Sequence, residues 1–188
     1  MPRPRLFDPD TALDALVGVF WAKGYSDASY DDIVSASGVS RKSLYAAFGD
    51  KQALFTKALQ RYRTDHATRF LADLDNEDIS LDGIASMFRR LGELATSDAG
   101  SMGCLMANTA TSPAIKTPEV KDQLDRHLEI TTKRFSTALA RAGCPAKRIK
   151  AKALYLTGAL QGLFLLAHAR AQPDLIEAYV NGVVDQIA

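Results

Sequence analysis

Arg41, Lys42, Ser43 and Tyr45 follow one another directly after Ser40. Arginine can donate two parallel hydrogen bonds to the acceptors on a guanine edge. Lysine reaches guanine or phosphate, and serine and tyrosine hydroxyls suit phosphate oxygens. At the start of a helix, unpaired backbone N–H groups add their own attraction for phosphate.

The elements that must position these side chains are two short helices and a tight turn within 29–51. Ser29 caps the first helix, and Asp32 three residues later completes a capping-box pattern. Ile33 and Val34 face inward. Gly38 permits the left-handed backbone that ends this helix, and Ser40 caps the next. Leu44 and Phe48 lie four apart on the inner face of the second helix, and Gly49 closes it. The pattern is a helix-turn-helix with Arg41, Lys42, Ser43 and Tyr45 outward. Short capped helices are common, so the pattern alone fits a plain helical hairpin with a solvated basic face about equally well.

The stretch from Gly24-Tyr25 to Phe55 resembles the DNA-binding signature of the TetR family of repressors. The matching parts are Gly24-Tyr25, Asp32-Ile33-Val34, Ser37-Gly38-Val39-Ser40, Ser43-Leu44-Tyr45, Phe48, and Lys51 followed by Leu54-Phe55. Lys42 departs from the pattern, standing where the family usually has a small residue or proline. The resemblance implies an all-α fold of about nine helices, with a three-helix DNA-binding domain at 1–50 and an effector-binding and dimerisation domain at 51–188. It implies that Tyr45 and Lys51 contact DNA phosphate. Ser29, Tyr30, Ser40, Arg41, Lys42 and Ser43 complete the expected DNA-contacting set. The expected partner is double-stranded DNA with a palindromic operator.

Composition agrees with a globular helical protein. The 188 residues are 47% hydrophobic and 24% charged, ordinary values for a folded chain. No apolar run is long enough to span a membrane, and the start lacks a signal-peptide pattern, so a cytoplasmic protein is expected. Cys104 and Cys144 are too few for a disulfide framework. The net charge is only +1, yet Val39 to Arg63 carries +5, from Arg41, Lys42, Lys51, Lys57, Arg61 and Arg63 against Asp50. A local basic patch on a neutral protein is the electrostatic footprint of a nucleic-acid binder. Arg3 and Arg5 lie in a Pro-rich arm that either reaches a minor groove or phosphate or is an inert tail.

Around this stretch the chain reads as helix throughout. Asp10 to Lys23 carries Leu13, Leu16, Val17, Phe20 and Trp21 at helical spacing, with Gly24 closing it. Asp50 caps a long helix from Lys51 to about Leu74, which ties the head to the rest. The acidic segment 73–78 marks a break. Further helices are expected over Leu81–Thr96, Cys104–Thr111, Thr117–Ala142, Ala146–Ala171 and from Pro173 onward. The helix after Ala153 is apolar nearly all round, and such a helix must be buried on several sides. An ordinary intramolecular core would bury it in part; the favoured expectation is a homodimer through the last two helices, with Gly158, Ala159, Gly162, Leu163, Leu166, Tyr179, Val180 and Val183 at the interface. The family's dimer forms in the same place. Two heads on a two-fold axis would read half-sites about one turn, ~34 Å, apart.

Repressors of this family bind a small molecule inside the C-terminal domain, and the ligand favours a head spacing that no longer fits DNA. The expected pocket residues are Met87, Phe88, Leu91, Cys104, Met106, Asn108, Phe135, Tyr155 and Gln161; each also fits an ordinary core position. Gly103-Cys104-Leu105 with Asn108 resembles a subset of the family in which some members sense oxidants or electrophiles through the cysteine. A helix start lowers a thiol's pKa, but a free cysteine is more often a small buried packing residue. Catalytic and metal chemistry find little support. His66, His127 and His168 are scattered, no Gly-rich phosphate loop or nucleophile elbow occurs, and no cofactor is expected. The reading is a ligand-released DNA-binding regulator rather than an enzyme. The alternatives are the same fold with Cys104 as the sensor, or a helical enzyme or carrier whose basic segment is incidental.

Overall fold

The computed structural model describes residues 7–187. The expected roles of Arg3 and Arg5 therefore lie outside the described residues. The chain is all-α: α1 (Pro9–Asp27), α2 (Tyr30–Ser37), α3 (Arg41–Phe48), α4 (Lys51–Arg61), α5 (Leu81–Ala95), α6 (Leu105–Ala110), α7 (Pro118–Arg141), α8 (Ala146–His168) and α9 (Pro173–Asp185). α4 does not stop at Arg61. A π-helical turn, Tyr62–His66, and a last α-turn, Ala67–Phe70, carry it onward. No strand occurs among the described residues.

Local sequence explains the helix ends. The Asp8 carboxylate accepts from the Asp10 N–H and Pro9 opens α1, a position where the missing proline donor costs nothing. Leu16, Val17 and Phe20 bury the inner face of α1. Gly24, at φ +72, kinks the helix, and the helical path continues beyond it to Asp27. The rings of Phe20 and Phe55 meet edge-on at 5.0 Å, and Tyr25 lies 5.1 Å from Phe55. With Ile33, Leu44 and Leu54 fully buried, the core of the head thus runs into the first turns of α4.

α7 and α8 form a hairpin, and α9 packs on α5 and α8. Gly92 lets α9 approach, since a Cβ there would come within 2.8 Å of Val180 Cγ2. The rings of Phe88 and Phe135 stack at 6.0 Å in the centre of this half. The acidic segment after α4 is structured. Asp73 pairs with Arg90 at 2.5 Å and Asp75 with Arg134, so its carboxylates tie α5 and α7 to the connection. No helix among the described residues is long and apolar enough to cross a membrane.

Candidate nucleic-acid interface and ligand cavity

The turn between α2 and α3 is built by its caps. Ser29 Oγ accepts from the Asp32 N–H, and the Asp32 carboxylate accepts from the Ser29 N–H, so the capping box is complete. Lys23 adds an ion pair to Asp32 at 2.6 Å. That ammonium, with the Ser29 donors, holds the Asp32 carboxyl down at about 2. Gly38 adopts φ +64 and returns its N–H to Val34 O. Ser40 Oγ accepts from the Ser43 N–H and lies 2.9 Å from Ser43 Oγ. α3 then presents Arg41, Lys42 and Tyr45 to solvent while Leu44 is buried.

A second layer of contacts orders these exposed side chains. The rings of Tyr30 and Tyr45 stack at 5.4 Å and their hydroxyls share a hydrogen bond. The Arg41 guanidinium lies 3.8 Å over the Tyr30 ring and reaches Tyr45 Oη at 3.4 Å. The bond to Tyr30, and then Arg41, lower the Tyr45 pKa, while burial raises that of Tyr30. Tyr30 Oη also accepts from the Lys51 N–H at 3.1 Å, which fixes the start of α4 against α2. The Lys51 ammonium lies 4.8 Å from the Tyr25 ring centre and donates to Ser26 O. Lys42 makes no hydrogen bond or ion pair among the described residues.

The six basic residues of the charge run do not share one face. Arg41, Lys42 and Lys51 belong to the head, and Lys57 is exposed farther along α4. Arg61 turns to α1 and the π-helical turn, pairing with Asp14 at 2.8 Å and Asp65 at 2.9 Å, with Asp10 nearby. Arg63 turns inward, where its Nη2 donates to Gln123 Oε1 at 3.4 Å. The head therefore offers three cations, two tyrosine hydroxyls and a helix start on one side, a set suited to phosphates and base edges.

A cavity of about 110 Å³ lies between α6, α7 and α8, lined by Met106, Leu124, His127, Leu128, Gln161 and Leu165 among others. Of the expected pocket residues, Met106 and Gln161 line it. Met87, Phe88, Leu91 and Phe135 are packed at 0–3% exposure elsewhere in the core, and Tyr155 is 44% exposed on α8. Asn108 Nδ2 donates to Met102 O at 2.8 Å and lies 3.3 Å from His168 Nδ1. Sequence places Arg63 only in the basic run and His127 only among scattered histidines, and neither beside a pocket. The signal for His127 is its place on the stripe Val120, Gln123, Leu124, Thr131, all buried on α7. Burial, and then Arg63, push the His127 imidazole down to about 4, so it is neutral near pH 7.

Cys104 stands before α6, 1% exposed. Burial raises its thiol pKa, outweighing the Tyr62 hydroxyl and the N–H groups of Ala107 and Met106. Gly103 before it has φ +60, and a Cβ there would come within 2.6 Å of Phe164 O. Among the expected interface residues, Ala159, Leu163, Val180 and Val183 are buried within the protomer. Tyr179 donates to Ala159 O at 2.9 Å and covers Gly162. Leu166 is half-buried. Gly158 is exposed, as are Leu154 and Tyr155 one turn before it. No cluster of three or more histidines, cysteines or acids placed to hold a metal occurs among the described residues.

Comparison with known proteins agrees with this geometry. The family model for bacterial regulatory proteins of the tetR family matches residues 12–58. The HTH-type transcriptional repressor ComR of Escherichia coli (strain K12) is 35% identical over 127 residues, which make up 66% of this chain and 60% of ComR. The matched stretch thus spans less than two thirds of ComR's length. The HTH-type transcriptional regulator YezE of Bacillus subtilis (strain 168) is 25% identical over 187 residues, 96% of each chain. Among solved structures, a cysteine mutant of the TetR family transcriptional regulator CifR, complexed with 26bp double-strand operator DNA, superposes with a TM-score of 0.80. It is 32% identical, and the match covers 97% of this chain and 98% of CifR. A helix-turn-helix at the matched residues, and a relative that follows the chain nearly end to end, lead to one assignment: this chain belongs to the TetR family of bacterial transcriptional regulators.

Proposed function

We propose that the chain is a homodimeric repressor that binds a palindromic operator through α2, α3 and the start of α4, and lets it go when a small molecule enters the C-terminal half. The observation that carries this reading is the face formed by Arg41, Lys42 and Lys51 around the Tyr30–Tyr45 pair. Arg41 and Lys42 read base edges, while Tyr30, Tyr45, Lys51 and the serine hydroxyls hold phosphates. The operator complex of CifR supports the DNA partner by similarity. The unit 1–50, with Lys51 just beyond it, carries the contacts, the unit 51–188 carries effector and dimer surfaces, and the protein works in the cytoplasm, where the DNA is.

The dimer forms through α8 and α9. Leu154 is 55% exposed, Tyr155 44% and Leu175 53%. Large uncovered apolar side chains of this kind mark association surfaces. Dimerisation gives the two heads a fixed separation, and a ligand that prefers another separation lowers operator affinity.

Selection of bound duplexes from a random library at moderate salt tests the reading. The expected result is an enriched palindrome whose affinity falls steeply as salt rises, because phosphate contacts release counterions. Binding without sequence enrichment, or without salt dependence, refutes it. Thiol sensing through Cys104 is the second reading. The contact between Cys104 and Tyr62 favours it, since oxidation there would disturb the turn that follows α4. Its mark is operator release by an oxidant in the wild type but not in Cys104→Ser.

A further inference from the structure

The wall of the small cavity holds more polar capacity than the protein satisfies. His127 Nε2 and Gln161 Nε2 are buried without a hydrogen-bond partner, and so is Nε of the neighbouring Arg63. His127 is 5% exposed. Gln123 and His127 lie four apart on α7, so both sit on one face. Arg63 reaches Gln123 from the π-helical turn after α4 and is close enough to His127 to act on its charge. No carboxylate pairs with Arg63 among the described residues; Asp65, two positions on, is held by Arg61. A guanidinium whose Nε–H is buried and unpaired is costly, and a carboxylate is the group whose geometry it matches. The rest of the cavity is Met106, Leu124, Leu128 and Leu165.

We propose that this cavity takes a small organic acid: a carboxylate received by Arg63 and His127, on a short apolar body packed between α6, α7 and α8. This deepens the effector reading above and rests on it for the consequence to DNA. The carboxylate oxygens accept from Arg63 Nε–H and from His127 in the tautomer protonated at Nε2, and the Gln161 amide supplies a further donor. Size limits the body. An apolar cavity of about 150 Å³ holds a benzene ring, and this one is about 110 Å³, so short aliphatic acids fit best. π-helical turns occur often at functional sites. Here the turn places Arg63 against Gln123, one helical turn from the cavity-lining His127 on α7, and Tyr62, one residue earlier, against Trp21 of the head, with ring centres 4.9 Å apart.

The test uses the purified full-length protein without DNA. Thermal unfolding is followed with acetate, butyrate, hexanoate and benzoate, each beside its uncharged amide. The expected result is that at least one carboxylate raises the unfolding temperature and binds roughly tenfold to a hundredfold more tightly than its amide, the range for a hydrogen bond to a charged group. Arg63→Gln should abolish that preference. If Arg63→Gln fails to fold, Ala110→Phe keeps the donors, fills the cavity from its rim and should abolish binding. Equal binding of acid and amide, an acid preference that survives Arg63→Gln, acid binding that survives Ala110→Phe, or no binding by any carboxylate of the panel overturns the proposal. Operator binding is then measured separately. A carboxylate that binds as described but leaves operator affinity unchanged upholds the ligand class and refutes release by this site. Release by neutral compounds alone does the reverse.

Discussion

His127→Gln should remove a pH dependence of stability that the wild type carries. The imidazole is buried at 5% exposure, and the charged group facing it is Arg63. Both effects oppose a second positive charge, and together they lower its pKa from the ordinary 6.5 to about 4. Between those values the unfolded chain binds a proton that the folded chain refuses. Stability is therefore full above pH ~6.5 and falls as pH drops toward ~4, below which this group adds no further slope. At about 1.36 kcal/mol per unit, the loss is about 3 kcal/mol over the window. For a domain of this size that corresponds to a fall of roughly 6–12 °C in Tm. The assay is urea unfolding of both proteins at pH 7, 5.5 and 4, with the wild-type-minus-variant difference plotted against pH. The difference removes titrations common to both, including Asp32, whose carboxyl near 2 lies below the window. A difference that changes by less than about 1 kcal/mol between pH 7 and 4 would refute the idea that a neutral His127 faces an uncompensated Arg63.

Arg41→Ala should cost about 1–3 kcal/mol of operator binding and relax preference at one base position, read by competition with substituted duplexes. Lys51→Ala should weaken all sequences alike and reduce the salt slope by about 1; a changed sequence preference would place Lys51 at a base instead. Gly103→Ala puts a side chain at φ +60 with its Cβ 2.6 Å from Phe164 O. It should destabilise the fold by about 1–3 kcal/mol or more in urea unfolding, and a neutral result would mean that this loop yields freely. Gly158 is exposed with nothing within 4 Å of a built Cβ. Gly158→Glu should therefore fold as a monomer by sedimentation, and a retained dimer would move the interface off this part of α8.

What sequence made legible follows the range of the forces involved. The capping box of Ser29 and Asp32, the left-handed Gly38 and the Ser40 cap are local hydrogen-bond patterns, readable from residues three apart. Helix existence was legible for the same reason, through periodic apolar residues. The π-helical turn at Tyr62–His66 was not, because it has no periodicity of its own within an otherwise continuous helical pattern. The charge run Val39–Arg63 read as one patch, but Arg61 and Arg63 are drawn off the DNA-facing side by partners 47 and 60 positions away, Asp14 on α1 and Gln123 on α7. Sequence spacing along one helix cannot show a partner on another. The stack of Arg41 and Tyr45 on Tyr30 is of the same kind, joining α3 to α2 across 11 and 15 positions. The cavity was the least legible part. Phe88, Phe135 and Met87 have the composition of a pocket wall and instead are fully buried, Phe88 stacked on Phe135. Which apolar residues leave a void depends on packing angles that no local pattern encodes.

The π-helical turn gives one physical route between the head and the cavity. Tyr62 is fully buried, with Trp21 of α1 edge-on and His66 stacked at 5.8 Å. The Trp21 indole N–H donates to Met102 O, which also accepts from Asn108 within α6. The head therefore rests on two supports, the turn after α4 and the loop before Cys104. Arg63 belongs to the first support and Met106 in α6 follows directly from the second. A carboxylate that draws Arg63 toward His127 acts on a residue bonded directly to Tyr62, and close packing leaves Tyr62 little room to absorb the shift alone. Such a ligand changes head spacing only by as much as it binds the two arrangements unequally. Arg63 can supply that inequality, since a charge-assisted bond is lost steeply when donor and acceptor separate. The apolar wall follows a sliding ligand at little cost, so under the proposed release the acid, rather than the hydrocarbon, is the part of the ligand that would move the head.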